Sequence, residues 1–237
     1  MSLYFLVTSA INTPYSQFTK EERIEQTLET AKSIKIKVEN SIVILIDGGI
    51  SQLDINVRET LLTVYDDILD FTQHEFIKFI QNQPSDNCGH MLKGPCESYL
   101  LREGCKAIAS LNPERIFKIS GRYKLNDKFN LNLHLTQSKK YVFLNRVKID
   151  PICINDTIAN WSDYCFETTF YSFCGSLLEE TILNYDVVIS NMLEIYSNNS
   201  YIDLETAMYI SLDKSKVFET LNIGVSGILS LGWEINK

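Results

Sequence analysis

Three apolar runs, each ending abruptly in small or polar residues, constrain the fold of this chain most strongly. They are Leu3 to Ser9, Ser41 to Ile46 and Arg115 to Ser120, and stretches with helical spacing separate them. An order of strand, helix, strand, helix and strand requires a mainly parallel sheet with helices packed against it. We therefore predict an α/β fold with a mainly parallel central sheet and helices on both faces.

The first helix has a clear start, whereas the second half of the chain is less regular. Thr19 offers an N-cap, and Glu22 three residues later completes a capping box. Residues 97–111 have helical periodicity, and residues 54–78 are amphipathic and helical in part. Further on, the pattern predicts short strands at 141–147, 166–173 and 187–189 and helical turns at 179–183, 203–210 and 214–220.

The composition is that of an ordinary globular protein with an acidic surface. Of the 237 residues, 45% are hydrophobic and 22% are charged, which suits a sizeable core and argues against disorder. With 22 Lys plus Arg against 30 Asp plus Glu, the formal charge is -8. This charge argues against a protein that coats nucleic acid or an anionic membrane, but it is compatible with a local basic pocket for a small anion. We expect one domain over residues 1–237.

The sequence contains no signal for several common classes of protein. The first ten residues have no basic segment before their apolar run, and no stretch reaches the roughly 18 apolar residues of a membrane-spanning helix. The six cysteines include no Cys-x-x-Cys pair, so we expect reduced thiols and no zinc site. No Gly-x-Gly-x-x-Gly follows the first strand, and neither a P-loop nor a Gly-x-Ser-x-Gly occurs.

Four segments of the first half carry a further pattern, over roughly residues 3 to 127. They are Asn12-Thr13-Pro14-Tyr15-Ser16 with the helix after it, Leu45-Ile46-Asp47-Gly48-Gly49, Lys93-Gly94-Pro95-Cys96-Glu97, and Ile116-Phe117-Lys118-Ile119-Ser120. In this order and spacing they resemble the nucleotide-sugar glycosyltransferases of the GT-A fold, of the capsule, lipopolysaccharide or virus-encoded type. The resemblance implies a GT-A (Rossmann-like) fold, a hexosyltransferase of polysaccharide biosynthesis, and a cytoplasmic location, in the host cytoplasm if the chain is virus-encoded.

The resemblance also divides the chain into a donor half, 1–127, and an acceptor half, 128–237. The donor would be a nucleotide sugar, with UDP as the family's usual base, and the acceptor a carbohydrate. Ligands of parallel sheets lie beyond the carboxyl ends of the strands. The residues expected to bind the donor are those at or near these ends, together with one from the first helix and one from the start of a later helix: Thr8, Ser9, Ala10, Asp47, Lys118, Ser120, Gly121 and Tyr123, with Arg23 and Lys93. Asp47 would bind the base or ribose, or else simply start a turn. Arg23 would approach the phosphates, or else lie on a solvated helix face.

One departure from the family concerns the diphosphate. Where the family places a metal-holding Asp-x-Asp, this chain has Ser120-Gly121-Arg122-Tyr123. An arginine can neutralise a departing diphosphate with its fixed fork of donors. We expect Arg122, helped by Lys118 or Lys93, to replace much of the metal's role, so that no cofactor is required. The alternatives are that Arg122 pairs with a structural carboxylate, or that Asp127 holds Mn²⁺ or Mg²⁺ in an offset site.

The acceptor half contains a candidate base near the start of a late helix. Ser200 is the expected cap, Asp203 completes a capping box, and Glu205 projects from the first turn. Glu205 is the first choice for the base and Asp203 the second. Carboxylates in a first helical turn also interact favourably with the helix dipole, which is the alternative role for both residues. A retaining mechanism would need no such base.

Two further features in this half have open interpretations. Aromatic residues recur between Trp161 and Phe173. They either fill the hydrophobic core or form a platform on which a sugar stacks, and the core interpretation is preferred. Residues 224–227 with Gly232 form a loop over the diphosphate or a plain turn. The alternatives to a transferase are a non-catalytic nucleotide- or glycan-binding module and a sugar nucleotidyltransferase.

Overall fold

A seven-stranded sheet runs through both halves of the chain. Its strands, in spatial order, are β12 (Val217–Thr220), β6 (Tyr141–Leu144), β11 (Phe170–Cys174), β4 (Arg115–Ser120), β1 (Leu3–Ser9), β2 (Ile42–Asp47) and β3 (Asp67–Asp70). Within this sheet β11 is antiparallel to both of its neighbours, and the other neighbouring pairs are parallel. The predicted mainly parallel sheet is therefore confirmed.

The computed structural model describes residues 2–13, 16–82, 93–149, 152–154, 157–159, 161–198, 200–228 and 234–237. Pro14 and Tyr15 of the first loop, and Gly232, lie outside these residues. The shorter strands are β5 (Tyr123–Leu125), β13 (Val225–Ile228) and β14 (Glu234–Asn236) in one sheet, β7 (Val147–Lys148) with β10 (Tyr164–Cys165), and β8 (Ile152–Ile154) with β9 (Thr157–Ala159).

The helices connect and cover the strands. They are α1 (Lys20–Lys37), α2 (Ile55–Leu61), α3 (Glu75–Gln81), α4 (Lys93–Ile108), α5 (Leu131–Thr136), α6 (Leu178–Ser197) and α7 (Leu204–Ser211), with 3-10 turns at Ala109–Leu111, Gly175–Leu177 and Lys214–Lys216. The predicted capping box is confirmed, because the Glu22 amide donates to the Thr19 hydroxyl at 3.2 Å and the Thr19 amide donates to the Glu22 carboxylate at 2.7 Å. None of the described helices is both long and apolar enough to cross a membrane.

Alternating side chains of β1 build a core on each face of the sheet. Phe5 belongs to a buried cluster with Ile34 of α1, whereas Leu6 belongs to another with Leu101 of α4 and Met192 of α6. Full burial of such a side chain stabilises the fold by about 1.5–3 kcal/mol. The predicted helices on both faces are therefore confirmed.

The structure corrects the predicted elements at three places. Residues 187–189, predicted as a strand, lie inside the 20-residue helix α6. The same helix contains residues 179–183, where the helical prediction is confirmed. The β-branched run favours a strand locally, but Val188 and Ile189 are buried on a helix and Val187 is exposed, so packing overrides the propensity. Residues 54–78 are helical in part, as predicted, but the prediction missed β3 between α2 and α3. The prediction of helical turns at 214–220 holds for the 3-10 turn and missed β12.

Candidate functional site at the carboxyl ends of the strands

The carboxyl ends of four neighbouring strands meet along one edge of the sheet. Ser9 of β1 pairs in register with Asp47 of β2, and Asp47 in turn pairs with Asp70 of β3. On the other side of β1, Thr8 pairs with Ser120 of β4. Residues that are more than 100 positions apart in the sequence are thereby brought to one edge, as the parallel arrangement predicts.

Asp47 is fully buried and joins the ends of β1 and β2. Its carboxylate accepts hydrogen bonds from the amides of Ile11, at 2.9 Å, and Gly49, at 3.3 Å. Burial raises the pKa of Asp47 to about 7, although these two hydrogen bonds favour the ionised form. Asp47 therefore shapes the loop after β1, and a direct contact with a base or ribose stays a prediction.

Three cationic side chains interact at this edge: Arg23 of α1, Lys93 of α4 and Arg122 after β4. Arg23 donates to the carbonyl of Ala10 and to the hydroxyl of Ser16, at 2.9 Å in each case. Burial and the charge of Arg122 together lower the pKa of Arg23 to about 10, against an opposing effect of Asp47. Burial also lowers the pKa of Lys93, with added repulsion from both arginines. Such mutual repulsion is relieved by a bound anion, so the cluster suits a diphosphate.

Arg122 is half-buried in a turn that crosses the end of β1. The Gly121 amide donates to the Thr8 carbonyl at 2.8 Å, and a side chain at Gly121 would come within 3.3 Å of that oxygen. The Arg122 guanidinium carbon lies 5.9 Å from the centre of the Tyr123 ring. Among the described residues no carboxylate lies within salt-bridge distance of Arg122, although the charge of Arg122 helps to lower the pKa of Glu97. The pairing with a structural carboxylate, considered from the sequence, is therefore not seen in this part of the chain.

The residues of this turn do not fit a divalent cation. The sequence resemblance expects metal-holding carboxylates at Ser120 to Arg122, and this turn instead carries a hydroxyl group, a glycine and a positive charge. Asp127, the alternative ligand, pairs with Lys37 of α1 at 2.5 Å, and its side chain is 98% exposed. No group of three or more His, Cys, Asp or Glu in the described residues is arranged to hold a metal. We therefore assign no chemical step to a metal.

Lys118 is buried below the site, and each hydrogen of its ammonium group has an acceptor. Its three hydrogens, the most an ammonium can donate, go to Glu97 at 2.7 Å, to the Ser120 hydroxyl at 2.8 Å and to the Thr168 carbonyl at 2.5 Å. The Lys118 side chain is only 1% exposed. It therefore holds Glu97 and the turn of β4 in place, and a direct contact with the diphosphate stays a prediction.

Glu97, in α4, is the site residue that the sequence analysis missed. It accepts a second hydrogen bond from the Thr8 hydroxyl at 3.0 Å. Burial alone would raise the pKa of Glu97, but Lys118 and these hydrogen bonds hold it below its usual value. Lys118 is the sequence feature from which Glu97 could have been predicted, because a lysine on an otherwise apolar, buried strand needs an acidic partner.

The candidate base lies at the start of α7. Asp203, not Ser200, is the N-cap, and its carboxylate accepts from the Thr206 amide at 2.6 Å. Glu205, in the first turn, accepts from the Thr168 hydroxyl at 2.6 Å. Burial raises the pKa of Glu205, Asp203 adds to the increase, and the Thr168 hydrogen bond opposes it. A partly buried carboxylate with a raised pKa is suited to accept a proton.

The aromatic residues of the acceptor half divide into two groups. Phe166, Phe170, Tyr171 and Phe173 are at most 1% exposed, so the core interpretation is confirmed for these four. Trp161 and Tyr164 are instead 45% and 38% exposed. The Trp161 indole donates to the Tyr201 carbonyl at 2.8 Å, two residues before the N-cap of α7.

The glycine segment near the carboxyl terminus packs against the Arg122 turn. Gly224 has a φ of 77°, and β13 pairs with β5, so that Gly227 lies opposite Tyr123. A side chain at Gly227 would come within 2.5 Å of the Arg122 carbonyl oxygen. Tyr123 itself is buried beneath this segment. The segment therefore supports Arg122 from behind, and its closure over a diphosphate stays a prediction.

Comparison with solved structures shows the fold family. The chain is similar to core-mannan synthase A of Aspergillus fumigatus in a form with Mn and GDP, at 11% identity and a TM-score of 0.59, over 92% of this chain and 72% of that one. It is also similar to the galactosyltransferase LgtC in complex with donor and acceptor sugar analogues, at 12% identity and a TM-score of 0.56, over 93% of this chain and 73% of that one.

A glycosyltransferase involved in glycosylation of the major capsid of PBCV-1 also overlaps the chain, at 12% identity and a TM-score of 0.45. No protein-family model matches the sequence, and no curated protein matches it. The first two structures establish that the chain has the GT-A fold, as the sequence pattern predicted.

Proposed function

We propose that the chain is a glycosyltransferase that moves a hexose from a nucleoside diphosphate sugar, a UDP-sugar in the first instance, to a carbohydrate acceptor. The observation that carries this proposal is the group of Arg23, Lys93 and Arg122 at the carboxyl edge of a GT-A sheet. In an acidic chain of net charge -8, three mutually repelling cations at the ligand edge indicate an anionic ligand. The donor half would be residues 1–127 and the acceptor half 128–237 of one domain.

On the donor side, Arg122 would bind the diphosphate with help from Lys93 and Arg23. A guanidinium offers paired donors that match phosphate oxygens and stays charged at any working pH. Since the Ser120-Gly121-Arg122 turn supplies a fixed positive charge where a metal would otherwise be held, Arg122 would stabilise the charge of the departing diphosphate. Ser9 and Ala10 are small and leave room for the base beside the end of β1.

On the acceptor side, Glu205 would act as the base. The acceptor hydroxyl oxygen attacks the anomeric carbon, the bond from that carbon to the diphosphate oxygen breaks, and the diphosphate leaves with the bonding electrons. Glu205 takes the hydroxyl proton, and Asp203 caps the helix that carries it. This route inverts the anomeric centre, and it requires mainly positioning and electrostatic stabilisation from the protein.

A non-catalytic nucleotide- or glycan-binding module is the second candidate. It is favoured by the absence of the Asp-x-Asp pattern at Ser120 to Arg122. A nucleotidyltransferase is less favoured, since the loop after β1 is neither glycine-rich nor basic.

Hydrolysis of nucleotide sugars separates the two candidates. The purified protein is incubated with UDP-, GDP- and other nucleoside diphosphate hexoses in EDTA, without acceptor, and release of the nucleoside diphosphate is followed. A transferase should release it slowly from one donor, and Arg122→Ala should reduce the rate by at least tenfold. The matched control is Arg58→Ala, which removes an arginine of α2 that donates to the Ile68 carbonyl. Binding of a donor without any release would favour the module.

A further inference from the structure

A line of polar contacts links Glu97 in the donor half to Glu205 in the acceptor half. Its centre is Thr168, which is 3% exposed and uses both of its oxygen atoms. The Thr168 carbonyl accepts from Lys118, the partner of Glu97, and the Thr168 hydroxyl donates to Glu205. The two carboxylates are therefore joined through one ammonium group and one threonine.

The segment that contains Thr168 is fixed on both sides of this residue. The Ser120 amide donates to the Thr169 carbonyl at 3.1 Å, and the Phe166 amide donates to the Glu205 carbonyl at 3.3 Å. The contacts of the Thr168 carbonyl and of its neighbours fix the backbone of Thr168, so that its hydroxyl reaches Glu205 from a held position. The orientation of Glu205 thus depends on residues of the sheet and of α4 that lie outside its own helix.

The two carboxylates have opposite environments. Glu97 has a cationic partner and a hydroxyl donor, and its pKa is held below the usual value despite burial. Burial raises the pKa of Glu205, and the charges of Asp203 and Glu97 act in the same direction. One carboxylate is therefore held ionised while the other is poised to accept a proton, which is the arrangement expected of a base and its fixed electrostatic neighbour.

We propose that Glu97 and Thr168 are positioning residues for Glu205: Glu97 anchors Lys118, Lys118 anchors the Thr168 carbonyl, and the Thr168 hydroxyl orients the Glu205 carboxylate toward the acceptor. The proposal rests on the proposed function, because Glu205 is the base only if the chain is a transferase. It adds two residues whose effect on the reaction passes through another side chain.

Several other ionisable groups act on Glu205 and must be considered in any titration. They are Tyr123 of β5, Cys165 of β10, Tyr196 of α6, and Tyr201 and Asp203 at the start of α7. Asp203 and the other groups named here are the same in wild type and in the variants compared. Changes between variants therefore report on the line through Thr168 and Glu97.

The test is a carboxyl-carbon NMR titration of protein labelled with ¹³C-glutamate, in which the Glu205 signal is identified by its loss in Glu205→Gln. Thr168→Val removes the hydrogen bond to the ionised carboxylate and should raise the titration midpoint of Glu205 by about one pH unit. Thr168→Ser keeps the hydroxyl and should leave the midpoint near the wild-type value. Thr168→Ala removes the same hydroxyl with less bulk and replaces the valine variant if that fails to fold.

Glu97→Gln removes the anchor of Lys118 and also a negative charge near Glu205. A direct charge effect would shift the Glu205 midpoint equally with and without the Thr168 hydroxyl, so the line through Thr168 predicts that the shift differs between the wild-type and Thr168→Val backgrounds. The matched control for Glu97→Gln is Glu103→Gln on the same helix, where the carboxylate contacts Arg102 and Lys106 at the surface. An unchanged Glu205 midpoint in folded Thr168→Val protein, or an equal shift by Glu97→Gln in both backgrounds, would overturn the proposal. The titration requires no donor, so a null result here leaves the transferase proposal standing, and shifts in an inactive protein would support the positioning role alone.

Discussion

Replacing Asp47 by Asn should change how the stability of this protein depends on pH. The Asp47 side chain is 0% exposed, and burial raises its pKa from 3.8 to about 7. Asn is nearly isosteric and keeps one acceptor oxygen for the Ile11 amide, so its structural cost is independent of pH. Any pH-dependent difference between the two proteins therefore comes from the Asp47 proton.

The size of the effect follows from proton linkage. Between pH 4 and pH 7 the folded protein keeps a proton on Asp47 that the unfolded chain has released, so the free energy of unfolding falls as pH rises. A pKa difference of about three units, at about 1.4 kcal/mol per unit, amounts to about 4 kcal/mol in all and about 3 kcal/mol between pH 4 and pH 7. This stability is complete below pH 4 and is lost as pH rises through the folded-state pKa.

A buried histidine partly hides this dependence in the wild type. Burial, with a contribution from Arg115, lowers the pKa of His134 from 6.5 to about 3. The unfolded chain binds a proton there that the folded protein does not, so the contribution of His134 is present above pH 6.5 and is lost as pH falls. The opposed slopes of Asp47 and His134 should largely cancel each other between pH 4.5 and 6 in the wild type, and Asp47→Asn removes the Asp47 slope.

Urea unfolding at half-unit steps from pH 4.5 to 7.5 measures the difference between wild type and Asp47→Asn. The free energy of unfolding of the variant, relative to wild type, should increase by about 2–3 kcal/mol over this range. Asp127→Asn is the control: its side chain is 98% exposed and Lys37 lowers its pKa, so its difference should be constant above pH 4.5. A constant difference for Asp47→Asn as well would refute the assignment of a raised pKa to Asp47.

Three further outcomes are expected. Lys118→Met leaves Glu97 without its cation and should lower the free energy of unfolding in urea by about 3–5 kcal/mol. Adding Glu97→Gln should recover part of this loss, and a cost of Lys118→Met below about 1 kcal/mol would contradict the role of the pair. Gly224→Ala should lower the free energy of unfolding by at least about 1–3 kcal/mol, because φ at Gly224 is 77° and a Cβ atom there would lie 2.1 Å from the Phe129 Cα. An unchanged melting temperature would contradict that geometry. Glu205→Gln should keep the affinity for UDP but slow transfer by about 10²–10⁴-fold, and undiminished transfer would remove its assignment as base.

The sequence was sufficient for β1, β2 and β4 at the centre of the sheet because their signals are local. Each of these strands is an apolar run that ends in turn residues, and the order of elements requires parallel pairing. The edge strands β3 and β12 are short and lack such a run, so they were missed. The capping box at Thr19 is likewise complete within four residues. Where the local preference conflicts with packing, as at residues 187–189 of α6, prediction from propensity failed.

The site was harder to predict because its contacts join distant parts of the chain. The positions of Arg122 and Glu205 follow from the ends of a strand and of a helix, which the pattern locates. The role of Glu97 depends instead on Lys118, 21 positions away in the sequence, and the burial of Asp47 depends on how the loop after β1 folds back. The hydrophobic periodicity of a sequence carries no information on contacts between such distant residues.

The central claim is that the positive group around Arg122 binds the diphosphate of a nucleotide without a metal. Isothermal titration with UDP and other nucleoside diphosphates, in EDTA and then with Mn²⁺, tests it directly. We predict saturable binding of one nucleoside diphosphate in EDTA, weakened at least tenfold by Arg122→Ala and unchanged by Arg58→Ala. Binding that appears only with Mn²⁺ and is indifferent to Arg122→Ala, or no binding of any nucleotide, would contradict the account.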